Sequence, residues 1–298
     1  MQAGALWLFV LVVWASCTSG KKKQEPSLIA GKLTVACDAT LRPLMDDLIQ
    51  IYEARYPEAD ITAIYADEEQ VSRLLLADSA QLALLSRQLT DAETLPVREK
   101  GEVVRQLLFA GDGIAFIVNR KRTDTVYTVE QLYQLLEGKA PGGQTGPIIV
   151  PGMRSALYRS LQQLLPQGRT LSPRVFAVAD EEAVVSYIEQ NVEAVGVISS
   201  SWISKRGDTI SEAILQRVRV LAVQDTSGRI CLPARPHLLS RCYPFLREIY
   251  LIIREKGVSV GMGFGTFLMA QDGQLAVHRF GLLAVKQPVR VIEVKKEF

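Results

Sequence analysis

The sequence predicts an α/β fold: parallel strands covered on both faces by helices. Three observations predict it. Short, almost unbroken apolar runs such as Leu82–Leu85 (LALL) read as strands buried on both sides. Segments with apolar residues at 3.6-residue spacing follow them. The two kinds alternate along the chain, the pattern of a parallel sheet with crossover helices. The bulk composition agrees: 298 residues leave room for one large domain or two lobes, and 48% hydrophobic with 22% charged residues is ordinary for a globular chain. A net charge of +2, with no run of like charge longer than the three residues of Lys21-Lys22-Lys23, argues against a nucleic-acid partner.

Each element follows from local signals. Leu33–Cys37 is the first strand, broken by Asp38-Ala39-Thr40. A helix then opens at Thr40, with Leu41, Leu44, Met45, Leu48, Ile49 and Tyr52 on one face, Thr40 as its N-cap and Pro43 in its first turn. Ile61–Tyr65 is the next strand, and Asp67 with Gln70 starts a helix carrying Val71, Leu74 and Leu75 inward. The strand Leu82–Leu85 ends at Ser86-Arg87. Gly113–Asn119 is a long apolar strand. Thr128-Val129-Glu130-Gln131 is a capping box that opens the helix Val129–Glu137, closed by Gly138. After the loop Pro141–Gly143 come the strand Ile148–Val150 and a helix starting near Arg154-Ser155. Asp180 caps the helix Glu181–Gln190, and Ala194–Ile198 is a buried strand. A strand-rich stretch at Arg217–Val223, the strand Ile249–Ile253, a glycine-spaced helix and the strand Val289–Val294 complete the chain.

The N-terminus is a targeting segment. Ala5–Ala15 is apolar but shorter than the roughly 20 residues that span a bilayer, so it reads as a signal sequence. Ala15-Ser16-Cys17 resembles a bacterial lipoprotein signal, which implies a signal peptide over residues 1–16, lipidation of Cys17 and a tether over 17–30. The chain would then be held at the cell envelope, periplasmic side or outer membrane. An ordinary cleaved signal or a short anchor is the alternative. Cys231 and Cys242 are close enough in sequence to pair in an exported chain, which leaves Cys37 as a buried strand residue. Two histidines, His237 and His278, and no CxxC spacing offer neither a metal site nor acid–base chemistry. Neither an enzyme nor a cofactor is expected. Gly261-Met262-Gly263-Phe264-Gly265 imitates a nucleotide loop but lacks a following Lys-Ser/Thr and an acidic partner about 20 residues on, so it reads as structural.

Four blocks in order, GDGIAFIVNRKRTDTVYTVEQLYQLLEGK, ADEEAVVSYIEQNVEAVGVISSSWIS, YPFLREIYLII and GVSVGMGFGTFLMAQDGQLAVHRFGLLAV, resemble the phosphate-binding family of ABC-transporter periplasmic proteins. The resemblance covers roughly Lys32 to Leu283. It implies a two-lobed periplasmic-binding-protein-like fold with two hinge crossovers, near Ile114–Asn119 and Tyr243–Ile249, and a ligand cleft between the lobes. Lobe one would take residues 31–115 and 246–298, and lobe two residues 116–245. The resemblance further implies a monomer that binds a small anion, phosphate or a related oxyanion, and delivers it to an ABC permease.

The site residues that the resemblance implies are Ala39, Thr40 and Leu41 at a helix N-terminus, Ser86 and Arg87 after the third strand, and Arg154 and Ser155 in lobe two, with Arg159 one turn on. A helix N-terminus carries partial positive charge and free N–H groups, which suits an oxyanion. The chain also departs from the family. Ala66-Asp67-Glu68-Glu69 stands where the family has a serine-glycine loop, and its carboxylates would repel a phosphate dianion unless they point to solvent. Arg87 replaces an aspartate that accepts a hydrogen bond only from a protonated oxyanion, so a cleft-facing Arg87 would discriminate weakly between phosphate and sulfate, or prefer a larger carboxylate or phosphorylated ligand. The other reading pairs Arg87 with Asp67, Glu68 or Glu69. These departures favour a second functional expectation: a lipoprotein of the same fold with a sensing role, or one that binds another ligand or a protein.

Overall fold

The computed structural model describes residues 27–139 and 146–286; Cys17, the signal segment, the Pro141–Gly143 loop and the Val289–Val294 strand lie outside the described residues. The first half runs β1 (Gly31–Asp38), α1 (Arg42–Arg55), β2 (Ala59–Ala66), α2 (Glu68–Leu76), β3 (Leu82–Leu85), α3 (Asp91–Arg98) and β4 (Val103–Asn119). The second follows with β5 (Val126–Thr128), α4 (Val129–Leu136), β6 (Ile148–Pro151), α5 (Ala156–Leu164), β7 (Val175–Val178), α6 (Glu181–Gln190) and β8 (Val195–Ser199). Then come α7 (Thr209–Arg217), β9 (Val218–Val220), β10 (Ala222–Gln224), β11 (Ile230–Cys231) and α8 (Arg235–Leu239). The chain returns through β12 (Leu246–Glu255) to α9 (Val260–Met269), α10 (Gln271–Phe280) and β13 (Leu283–Ala284).

Strand order in the large sheet is β2-β1-β3-β12-β4-β8-β6-β7, with β9 and β13 also on β4. Each end of this sheet is parallel as expected: β1 with β2 and β3, and β6 with β7 and β8. The middle is not. β12 runs antiparallel to β3 and β4, and β4 antiparallel to β8. The reason is the path of the chain, which leaves one lobe along β4 and comes back along β12. At about 3.4 Å per residue, the 17 residues of β4 extend roughly 55 Å, enough to cross both lobes. Gly113 pairs with Leu246 of β12 and Ile114 with Ser199 of β8, so β4 changes partner within one residue.

The cores divide at the same place. On β1, Leu33, Val35 and Cys37 face one layer of helices while Ala36 faces the other, the alternation of a strand buried on both sides. On β4, Ile114, Phe116 and Val118 likewise enter one cluster and Ala115 and Ile117 another. The clusters of the first half draw on residues up to Ala110 and from Ile249 onward; those of the second on Ile114 to Phe245. Two cores on one continuous sheet make the molecule two-lobed.

Local signals placed most helix starts. Asp67 accepts from Gln70 N at 2.9 Å, Thr128 and Gln131 form the capping box, and Gly138 takes the left-handed conformation (φ +80°) that closes α4. The first helix differs from expectation. Asp38, not Thr40, is the cap; it accepts from Thr40 N at 3.0 Å and closes a 3-10 turn over Ala39–Leu41 before α1 begins at Arg42. A carboxylate outcompetes the Thr40 hydroxyl because it is the stronger acceptor and sits one residue before the turn. Cys231 and Cys242 form a disulfide and Cys37 is free and buried. The glycines of α9 serve packing: a Cβ on Gly265 would meet Ile253 Cδ1 at 2.8 Å, and one on Gly263 would strike the backbone oxygen of Leu28.

Candidate functional site: an acid-lined cleft between the lobes

The parallel strands of both lobes aim their carboxyl ends at a common cleft. Its walls are Asp38, Ala39, Thr40, Ala66 and Asp67 from lobe one, and Pro151–Ser155 with Ala179–Glu181 from lobe two; its volume is about 430 Å³. That is the size range of small-molecule sites, at the carboxyl ends of strands where open α/β sheets hold ligands.

Four helical segments begin on this cleft, and each N-terminus has its own cap. Asp38 caps the 3-10 turn. Asp67 caps α2. Ser155 caps α5, accepting from Tyr158 N at 3.2 Å and donating to Gly152 O at 2.7 Å. Asp180 caps α6 through Ala183 N at 2.9 Å. Free N–H groups at such ends normally suit an anion. Here three of the four already hold a carboxylate.

Below the cleft lies a buried polar network. Arg247 donates from Nε to Asp112 Oδ2 (2.7 Å) and from Nη2 to Thr40 Oγ1 (2.8 Å). Asp112 also accepts from Ser199 Oγ (2.8 Å) and Ser200 Oγ (2.7 Å). The Thr40 hydroxyl donates to Asp38 Oδ1. Three atoms of this region have no partner although each is fully buried: Asp38 Oδ2, Glu181 Oε1 and Arg247 Nη1. Burial pushes the Asp38 carboxyl above its ordinary value, against the pull of Arg247. Glu181 is raised too, from 4.5 up to about 8, through burial first and the Asp38 charge second; its own backbone N–H and Arg247 oppose the rise.

Contacts close the cleft from lobe to lobe. Thr40 O accepts from Trp202 Nε1 (3.0 Å) and Ser201 Oγ (3.2 Å). Arg154 pairs with Asp67 at 3.3 Å, Arg159 pairs with Glu68, and Lys205 with Asp47.

The structure brings Ala39, Thr40, Arg154 and Ser155 together on this cleft. The Leu41 side chain is in the lobe-one core. Ser86 and Arg87 line a separate opening of about 300 Å³ with Ser160, Gln163, Arg247 and Tyr250. The expected partner of Arg87 among Asp67, Glu68 and Glu69 is replaced by Glu93, which holds both guanidinium nitrogens at 2.6 and 2.8 Å. Glu93 wins because the Thr90 capping box fixes its carboxylate beside Arg87, whereas Glu68 is turned inward onto Ser86 N at 3.0 Å and Arg159. Sequence reasoning passed over Glu181, Asp112, Ser199, Ser200 and Arg247. Asp180 was legible as a cap, but nothing in the string marks Glu181 as buried.

Comparison with known proteins fits this architecture. The chain is similar to the phosphate-binding protein PstS of Staphylococcus epidermidis, 21% identical over 252 residues that cover 80% of this chain and 74% of that one. Its fold matches a candidate phosphate ABC transporter substrate-binding protein of Clostridium perfringens, solved with bound phosphate: TM-score 0.69, 19% identity, 86% of this chain and 100% of the other. An ABC-type phosphate transport receptor of Vibrio cholerae follows at TM-score 0.61 and 19% identity, covering 85% of this chain and all of that one. The family model described as the PBP superfamily domain matches residues 22–272, most of the chain, and so this protein is a member of the PBP superfamily.

Proposed function

We propose that the chain is a solute-binding receptor that captures a small ligand between its lobes and delivers it to an ABC permease, tethered to the envelope through a lipid on Cys17. The observation that carries this reading is the cleft itself, where four helix N-termini from two lobes converge on a 430 Å³ space. The relatives make phosphate or a related oxyanion the first ligand to test, with Thr40, Arg154 and Ser155 as its contacts and Ala39 beside them.

A specific observation favours a second reading, in which the receptor serves another ligand. Asp38, Asp67 and Asp180 occupy the anion-binding helix ends, and Arg154 and Arg159 are engaged by Asp67 and Glu68. Equilibrium dialysis with labelled phosphate separates the two. Saturable binding of one phosphate per chain, weakened in Arg154→Ala, supports the oxyanion reading. Absence of binding below millimolar phosphate supports the second.

A further inference from the structure

The cleft wall is unevenly charged, and Arg247 beneath it offsets the imbalance only in part. Asp38, Asp67, Asp180 and Glu181 line it, with Arg154 as the one cation on its wall among the described residues. Arg154 and Arg159 are committed to Asp67 and Glu68, and Arg247 shares its guanidinium between Asp112 and Thr40. What remains unpartnered are two carboxyl oxygens, Asp38 Oδ2 from lobe one and Glu181 Oε1 from lobe two, and one donor beneath them, Arg247 Nη1, all buried. A buried acceptor left unpaired carries a free-energy cost, larger when it is charged, that a ligand's donor removes.

We propose that the cleft takes an organic cation rich in hydrogen-bond donors, of the protonated amine or guanidine class, held between Asp38 and Glu181. This inference rests on the cleft being the solute site and replaces phosphate as the ligand. Two acceptors on opposite lobes match a ligand with N–H groups on separate faces, and bridging them would draw the lobes together. A dianion would meet the Asp38, Asp67 and Asp180 carboxylates on the wall, where Arg154 is already held by Asp67. A metal ion fits less well. Among the described residues the one trio of potential ligands close enough to share an ion is Asp225, Cys231 and Cys242, away from the cleft and including both disulfide cysteines.

A cation would also change the protonation of the floor. Glu181 faces Asp38, Asp180 and Arg247, with Asp67 and Arg154 on the same cleft, and burial holds it protonated at neutral pH. A bound ammonium or guanidinium favours the carboxylate, so the Glu181 proton passes to the buffer as the ion pair forms. At pH 7 the release should approach about 0.9 proton per ligand, the protonated fraction of an acid with a pKa of about 8.

The test is isothermal titration of the purified full chain with agmatine, putrescine, inorganic phosphate and sulfate, in two buffers of different ionisation enthalpy at pH 7. Agmatine or putrescine should bind with proton release, and Glu181→Gln should weaken binding roughly ten- to hundredfold and abolish the release. Asp38→Asn, which keeps an acceptor for Thr40 N, should weaken binding by a similar factor. Thermal melts show that each variant folds. Phosphate binding at micromolar concentration with no response to either cation overturns the inference and leaves the solute-receptor reading standing. Cation binding unchanged in both variants, or without proton release, overturns it as well. If none of the four compounds binds, the inference fails, and the test of lobe closure in the Discussion then decides the receptor reading.

Discussion

Replacing Glu181 with glutamine should change how stability depends on pH, and the size can be worked from the structure. Glu181 is buried at the first position of α6, and its carboxyl rises from an ordinary 4.5 to about 8 in the folded chain. Between those values the folded state keeps a proton that the unfolded state has lost, so stability falls as pH rises through the window. The effect is fully favourable below pH 4.5 and gone above about pH 8. A difference of about 3.5 units at 1.36 kcal/mol each gives roughly 4–5 kcal/mol. Glutamine has nearly the same shape and no charge, and it stays neutral throughout. Wild type and Glu181→Gln should therefore melt alike near pH 4.5 and diverge steadily to pH 8. By then the variant should be the more stable by several kcal/mol, roughly 10 °C in Tm for a chain of this size. Differential scanning calorimetry at intervals from pH 4.5 to 9 measures it, and taking the difference between the two proteins cancels the other titrating groups. Parallel Tm curves across that range would refute a buried, uncompensated Glu181, and the inference built on it.

Four other outcomes are expected. Cys17→Ser should release the protein from membranes or leave an unprocessed precursor in cell fractionation; normal maturation with membrane retention contradicts the lipid anchor. Removing the Cys231–Cys242 disulfide, which closes a loop of 11 residues, should cost about 2–3 kcal/mol in a urea titration, and no change in midpoint would show that the bond adds nothing. Trp202→Phe deletes one of the two donors on Thr40 O and should shift the balance toward the open form by about 0.5–1.5 kcal/mol, visible as a larger radius of gyration in solution scattering. Glu93→Gln should lower stability by about 1 kcal/mol above pH 4.5 and converge with wild type towards pH 2, because Arg87 first, and the Thr90 cap after it, hold the Glu93 carboxyl down at about 2.

Much of the fold was legible because its signals are local. The caps at Asp67, Thr128 and Asp180 each need only four residues of sequence, and the apolar runs of β3 and β8 need little more. β4 was half legible. Gly113–Asn119 is buried throughout, but Val103–Leu108 mixes exposed and partly buried residues and holds no long apolar run. The antiparallel middle of the sheet was not legible, since strand direction follows from the route between lobes rather than from any segment's composition. The same limit governs the site. Thr40, Arg154 and Ser155 are marked by their place at helix starts after strands. The Arg247–Asp112–Ser199 network joins positions far apart in the chain, which meet only because β12 lies beside β4 and β8 on its other side. The sequence marks Thr40 as the cap of its helix and a ligand contact; Asp38, two residues earlier, claims both its N–H and its hydroxyl hydrogen.

The central claim is that two lobes close on a small solute held in this cleft. The distance between nitroxide labels on Leu95→Cys in lobe one and Val192→Cys in lobe two tests it most directly. Both sites are exposed, Cys37 is buried and Cys231 and Cys242 are joined, so in a chain carrying Cys17→Ser the labels report those two positions alone. Pulsed electron–electron double resonance with phosphate, sulfate, agmatine and putrescine should show a shift to one narrow, shorter distance with at least one of them, whichever ligand class is right. A distance distribution that stays the same with all four ligands, from pH 5 to 9, would contradict a solute receptor that works by closing.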